Sequence, residues 1–174
     1  MKPHTHVSYI VARSMKRIYA IRRLKSAGCN VDDLVYVYVL LIRSILETAC
    51  PVFQPLLTNE NKESIERIQK IVLKVILGDK YLSYNQACND VNLATLEERR
   101  TQICLNFGIK CLSHPHHKTL FPRDPDTGYF TRHPDIMNQP WCKTTRYSKS
   151  PVPYIAKLLN EHYKGLETKI VREK

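Results

Sequence analysis

Glycine is scarce in this chain, with five residues in 174. None of them builds a GxGxxG or GxxxxGK loop, so the backbone cradles that hold nucleotide phosphates are absent. GxSxG, HExxH, DxDxDG and Tyr-x-Asp-Asp are missing too, and with them the usual serine-hydrolase, zinc-protease, calcium-loop and polymerase-metal signatures. Cysteine is present but scattered, at 29, 50, 88, 104, 111 and 142 with no CxxC pair, which suggests neither a disulfide framework nor a zinc ribbon. No run reaches the roughly 18 uncharged apolar residues of a membrane span. The longest candidate, Leu34 to Ile42, covers about half of one. The N-terminus lacks the charged, apolar, small-residue order of a secretory signal. The expectation is a soluble intracellular protein, nuclear or cytoplasmic, with no cofactor, no small-molecule substrate and no membrane partner.

A further absence is more telling. Residues 1–30 contain Lys2, Arg13, Lys16, Arg17, Arg22, Arg23 and Lys25 but no acid, so +7 of the net +11 lies there. Residues 31–113 nearly balance, with nine bases against ten acids, and residues 114–174 hold eleven against six. Such an excess favours polyanions, through phosphate neutralisation and counterion release. A mitochondrial presequence shares this acid-poor character, but here the basic stretch runs into a long apolar segment without a cleavage-like break.

What is present is mostly helical pattern. Over 7–26, Val7, Val11, Ser14, Ile18 and Ile21 share a face with Arg13, Lys16 and Arg23 opposite, and Gly28 is placed to end the helix. Val35, Tyr36, Val37, Tyr38 and Val39 would suit a strand. The apolar run continues through Leu46, however, and Asp32 or Asp33 stands where an N-cap belongs, so length favours a central helix buried all round. Pro51 and Pro55 bracket a turn after it. Thr58 caps a third helix to about Leu77, with Ile65, Ile68, Val72, Val75 and Ile76 on one stripe and Arg67, Lys70 and Lys74 opposite. Ser83 with Gln86, and Thr95 with Glu98, read as capping boxes, the second opening a helix to about Leu112. Seven of the ten prolines then fall between Pro115 and Pro153, giving an irregular Pro/His/Arg-rich tail from 114 onward, with one further helix at about 151–163. The fold class is therefore mainly α: about five helices in a small bundle over 1–113, then the tail of 114–174.

Three residue sets are candidates for chemistry. The cations of 13–25 form either a row of phosphate contacts or a solvated face, and the lack of any compensating acid favours the first. Arg67, Lys70 and Lys74 either extend that surface or pair with Glu63 and Glu66. Cys104, Cys111, His114 and His116 offer zinc-ligand chemistry, with His117 in reserve. Cysteines one heptad apart on a helix are equally core residues. In the tail, Tyr129, Phe130, Trp141 and Tyr147 interleave with Arg132, Lys143 and Arg146, and either stack on bases or pin the tail to the body.

Taken in order, RIYAIRRLKSAG, LLIRSILETACPVFQPLLT, IERIQKIVLKVILG and LATLEERRTQICLNFGIKCL resemble the region C-terminal to the palm in reverse transcriptases of non-LTR retrotransposons, the LINE-like, Jockey and CR1 type. The pieces LFP and RYSKSPVPYIAKLLN resemble the stretch downstream of that region in such reading frames. Thr48 and Phe53 depart from the pattern, which typically has Tyr and Trp there. The resemblance implies an α-helical thumb-like domain that holds an RNA or RNA–DNA duplex. Backbone contacts would come from Arg13, Arg17, Arg22, Arg23 and Lys25, and the domain would pack against a palm. The catalytic aspartates of that palm are not in this sequence, so binding without polymerase activity is the expectation.

Overall fold

A computed structural model of the chain describes residues 3–122 and 137–172, with side chains described for 4–122 and 137–165. These residues are mainly α-helical and contain no β-strand. They form eight helices: α1 (Pro3–Ser26), α2 (Val31–Leu46), α3 (Cys50–Phe53), α4 (Asn59–Leu77), α5 (Tyr84–Asp90), α6 (Leu96–Ser113), α7 (Thr145–Ser148) and α8 (Pro151–Arg172). The chain divides into two compact units, one of residues 1–53 and 57–101, the other of 54–56 and 102–174. The division expected at 113 thus falls within the second unit.

In the first unit, α1 lies along α4 and α2. Val7, Ile10, Ser14, Ile18 and Ile21 are buried, meeting Leu34, Tyr38, Ile42 and Ile45 of α2 and Ile65, Ile68, Val72 and Ile76 of α4. Truncating such an isoleucine to alanine typically costs about 2–5 kcal/mol, so this seam carries much of the unit's stability. The expected face of α1 is correct except that Ile10, rather than Val11, is fully buried.

Several local expectations need correction. Asn30, not Asp32 or Asp33, caps α2, its side chain accepting from the Asp33 N–H at 2.7 Å. The two aspartates occupy the first turn, where negative charge complements the helix dipole. The helix is not buried all round: Leu34, Tyr38, Ile42, Ile45 and Leu46 face the core, while Tyr36, Leu40 and Leu41 are exposed. Its middle, Val39–Arg43, widens into a π-helical turn. Arg17 Nη1 donates to the Leu41 carbonyl inside that turn at 2.8 Å, an outside donor to a backbone group in a distorted ladder. The turn around Pro51 and Pro55 is itself helical, consisting of α3 and a 3₁₀ turn at Gln54–Leu56. At the positions departing from the resembled pattern, Thr48 donates to the Ser44 carbonyl and Phe53 stacks on buried His6 with ring centroids 4.0 Å apart.

The caps of the later helices are mostly as read. Thr58 accepts from the Asn61 N–H, and Thr95 and Glu98 make both arms of their capping box. Ser83 caps α5, but the Gln86 side chain reaches forward to Asp90 instead of back. Gly28 (φ 87°) ends α1 and Gly78 (φ 59°) ends α4, both in the left-handed region that glycine tolerates.

A polar chain threads the core between α2 and the start of α6. Tyr38 donates to Gln69 Oε1 at 2.6 Å, and Gln69 Nε2 donates to the Ala94 carbonyl at 3.0 Å. Glu66 accepts both from the Tyr84 hydroxyl and from the Leu96 N–H that opens α6. Burial holds the Tyr38 phenol well above the ordinary tyrosine value of 10. Burial, followed by the bond to Glu66 and its charge, does the same for Tyr84.

The second unit is built on α8, which runs to Arg172, beyond the end expected near 163. Ile155, Ala156 and Leu159 are buried with Cys104 and Cys111 of α6 and with Phe121 and Met137 of the tail. At Met137 the tail is tied to α8. The Asn160 side chain accepts from the Met137 N–H at 2.8 Å and donates to the Met137 carbonyl at 3.0 Å, as a neighbouring strand would. Gly108 lets α6 and α8 approach: a Cβ there would lie 2.6 Å from Ile155 Cγ2 and 3.2 Å from Leu159 Cγ.

Two measurements check this packing. Gly108→Val should destabilise the protein by about 1–3 kcal/mol in chemical denaturation, the usual cost of overpacking a tight contact. Because both phenols have raised values in the folded state, their stabilisation is complete below pH 10 and lost as pH rises beyond it. Denaturation midpoints taken from neutral to alkaline pH should therefore fall above pH 10, and fall less steeply in Tyr38→Phe/Tyr84→Phe.

Candidate nucleic-acid interface

Helical register decides where the cations of α1 go. With one face committed to the isoleucine seam, Tyr9, Arg13, Lys16 and Arg23, at i, i+4, i+7 and i+14, line the opposite side, with Tyr19 and Arg22 beside them. Arg13, Lys16, Arg22 and Arg23 are exposed, and among the described residues none has an acidic partner. Arg13 Nη1 lies 3.4 Å from the Tyr9 hydroxyl. The nearby acids are not drawn to these cations: Glu47 pairs with Arg43 at 3.5 Å and Arg99 at 2.9 Å, and Lys62 pairs with Glu97 at 3.2 Å.

Two of the expected contacts serve the fold instead. Arg17 is half-buried and turned to the Leu41 carbonyl. Lys25 Nζ donates to the Val75 carbonyl at 2.6 Å, one of the last four carbonyls of α4 that have no partner within their own helix.

On α4, Arg67, Lys70 and Lys74 are exposed on the solvent side, as their spacing implies. Their suggested carboxylate partners are not used. Glu66 is committed to Tyr84 and Leu96, and the lysines sit over aromatic rings, Lys70 5.1 Å from the centre of Tyr84 and Lys74 5.3 Å from that of Tyr81. A cation over a ring keeps its charge and most of its hydration, so both ammonium groups stay available to an anion.

The candidate zinc ligands are not brought together among the described residues. Cys104 and Cys111 are buried on α6, and burial raises the Cys111 thiol above its ordinary value. His114 stacks on His117 with centroids 4.3 Å apart and lies 5.7 Å from His116, all three exposed. Among the described residues no three His, Cys, Asp or Glu side chains converge on a metal-sized point.

Of the tail aromatics and the bases interleaved with them, Tyr129, Phe130 and Arg132 lie outside the described residues. Trp141 is 79 % exposed with Lys143 Nζ 5.2 Å from its ring, and Tyr147 and Arg146 are exposed nearby in sequence. Trp141 therefore does not pin the tail by burial. The residues that composition does not single out are Tyr9 and Tyr19, which belong to the cationic face of α1. Their helical spacing from Arg13, Lys16 and Arg23 is the signal that finds them. No single helix among the described residues is long and apolar enough to cross a membrane. Comparison of the chain with protein-family models, curated proteins and solved structures finds no match.

Proposed function

We propose that this protein binds nucleic-acid backbone without sequence specificity, the partner being RNA or an RNA–DNA duplex. In this reading it corresponds to the thumb and post-thumb region of a non-LTR retrotransposon reverse transcriptase. The observation that carries the proposal is the exposed row of Arg13, Lys16, Arg22 and Arg23, which has no acidic partner among the described residues while other bases in the same unit are paired. Uncompensated cations on one rigid helix repel one another, and a phosphate backbone relieves that repulsion while releasing counterions. Arg67, Lys70 and Lys74 add a second row on α4. The role assigned is binding alone, since the sequence supplies no carboxylate pair in the pattern of two-metal nucleotidyl transfer.

A second reading has its own support. Tyr36, Leu40 and Leu41 on α2 and Val52 on α3 are exposed, as a helical protein-interaction module would have them, and a palm domain is one partner the resemblance implies. The readings part on salt dependence. A labelled RNA–DNA hybrid titrated across salt concentrations should bind with a steep slope. Arg13→Gln, Lys16→Gln, Arg22→Gln and Arg23→Gln combined should reduce that slope by about 3.6 units, from roughly 0.9 for each lost phosphate contact. Flat slopes for both proteins would remove the nucleic-acid proposal and leave the interaction module or a retroelement relic with no retained function.

A further inference from the structure

We infer that the cationic face of α1 takes unpaired bases as well as phosphates, with Tyr9 and Tyr19 as stacking platforms, so that a single strand is preferred to a blunt duplex. The inference rests on the backbone-binding reading above and names the strand form it favours.

Tyr9 is 56 % exposed and Tyr19 65 % exposed, although each is chain neighbour to a fully buried isoleucine, Ile10 and Ile18. The seam fixes the register of α1, so the two rings point outward by geometry and not through local fraying. Ten residues of helical rise separate them by about 15 Å, with Arg13 and Lys16 in the interval and Arg22 and Arg23 beyond. The helix beneath is anchored on the core by Val7, Ile10, Ile18 and Ile21, so the backbone that carries the rings and charges keeps its spacing and only the side chains are ordered on binding.

That combination discriminates between nucleic-acid forms. In a blunt duplex the bases are already stacked on one another, so rings on a flat helix face meet only sugar and phosphate. An unpaired strand offers a π-face at every nucleotide, and aromatic rings set among cations collect both interactions. A protein partner fits the same surface less well, because an apolar one would have to desolvate Arg13, Lys16 and Arg23 along with the tyrosines. The exposed Arg13, Lys16, Arg22 and Arg23, with no acidic partner among the described residues, make a polyanion the complementary occupant.

The test uses the full chain and one labelled oligoribonucleotide, free and annealed to its DNA complement as a blunt duplex, with affinity read by anisotropy across salt. Wild type should favour the free strand by tenfold or more. Tyr9→Ser/Tyr19→Ser, checked for unchanged helicity, should lose roughly tenfold per tyrosine on the free strand alone and keep its salt slope. Equal binding of both forms by wild type overturns the inference, as does a tyrosine variant that retains the preference, which would place stacking elsewhere, at Trp141 for instance. In either of those cases a steep slope lost in the arginine and lysine variant leaves the backbone reading standing. Flat slopes throughout overturn both.

Discussion

Ile10, Ile18 and Ile21 are buried in the seam that joins α1 to α2 and α4, and once they are fixed the rest of α1 has no freedom of orientation. With about 3.6 residues to each helical turn, Arg13, Lys16 and Arg23 must emerge on the far side. The residues at the margin, Arg17 and Lys25, must lie against the neighbouring helices. Both marginal cations then find backbone carbonyls, Leu41 in the π-turn of α2 and Val75 in the last turn of α4. One hydrophobic contact surface thereby sorts a single basic segment into two groups. One group ties helices together, and the other stays in solvent with its charge unspent.

The polar chain through the core plays a different part from the seam. Burying Tyr38, Gln69 and Glu66 gains little on balance, because each loses water for roughly the same number of protein hydrogen bonds. What those bonds provide is position. Gln69 holds the Ala94 carbonyl and Glu66 holds the Leu96 N–H, so the irregular link from α5 to α6 is pinned to α4 at two nearby points. The same carboxylate meets the N-terminal end of α6, where the dipole favours a negative charge. Tyr84 shares Glu66 and sits under Lys70, which ties the exposed basic row of α4 to this buried device.

How much of this is legible in the sequence depends on the range of the interactions involved. The apolar faces of α1 and α4, the Thr58 and Thr95 caps and the two terminating glycines depend on residues within a turn or two, and they read correctly. Asn30 escapes pattern reading because the adjacent aspartates offer the same capping chemistry; only backbone geometry chooses among Asn30, Asp32 and Asp33. The β-branched run of 35–39 forms helix because burial against α1 and α4 outweighs local preference, yet that burial reaches only one face. The other face, with Tyr36 and Leu40, looks like core by composition alone. Asn160 is 23 residues from the Met137 backbone it holds, out of reach of any local pattern. For the candidate interface the exposed cations are legible from their spacing. The structural uses of Arg17 and Lys25 are not, since their partners are backbone atoms of distant helices.

The exposed cations of α1 invite one further comparison. Arg13 and Lys16 are three residues apart, a spacing at which like charges destabilise a helix by a few tenths of a kcal/mol per pair. Helical position gives partial relief at one end only. Arg23 and Lys25 lie in the last turn, where the dipole welcomes them, but Arg13 and Lys16 sit mid-helix with no such compensation. A fold shaped by stability alone would place an acid among them, as Glu47 is placed beside Arg43 and Arg99. The proposed polyanion supplies the missing charge from outside, and the two tyrosines among those cations are where such a partner would meet something other than charge.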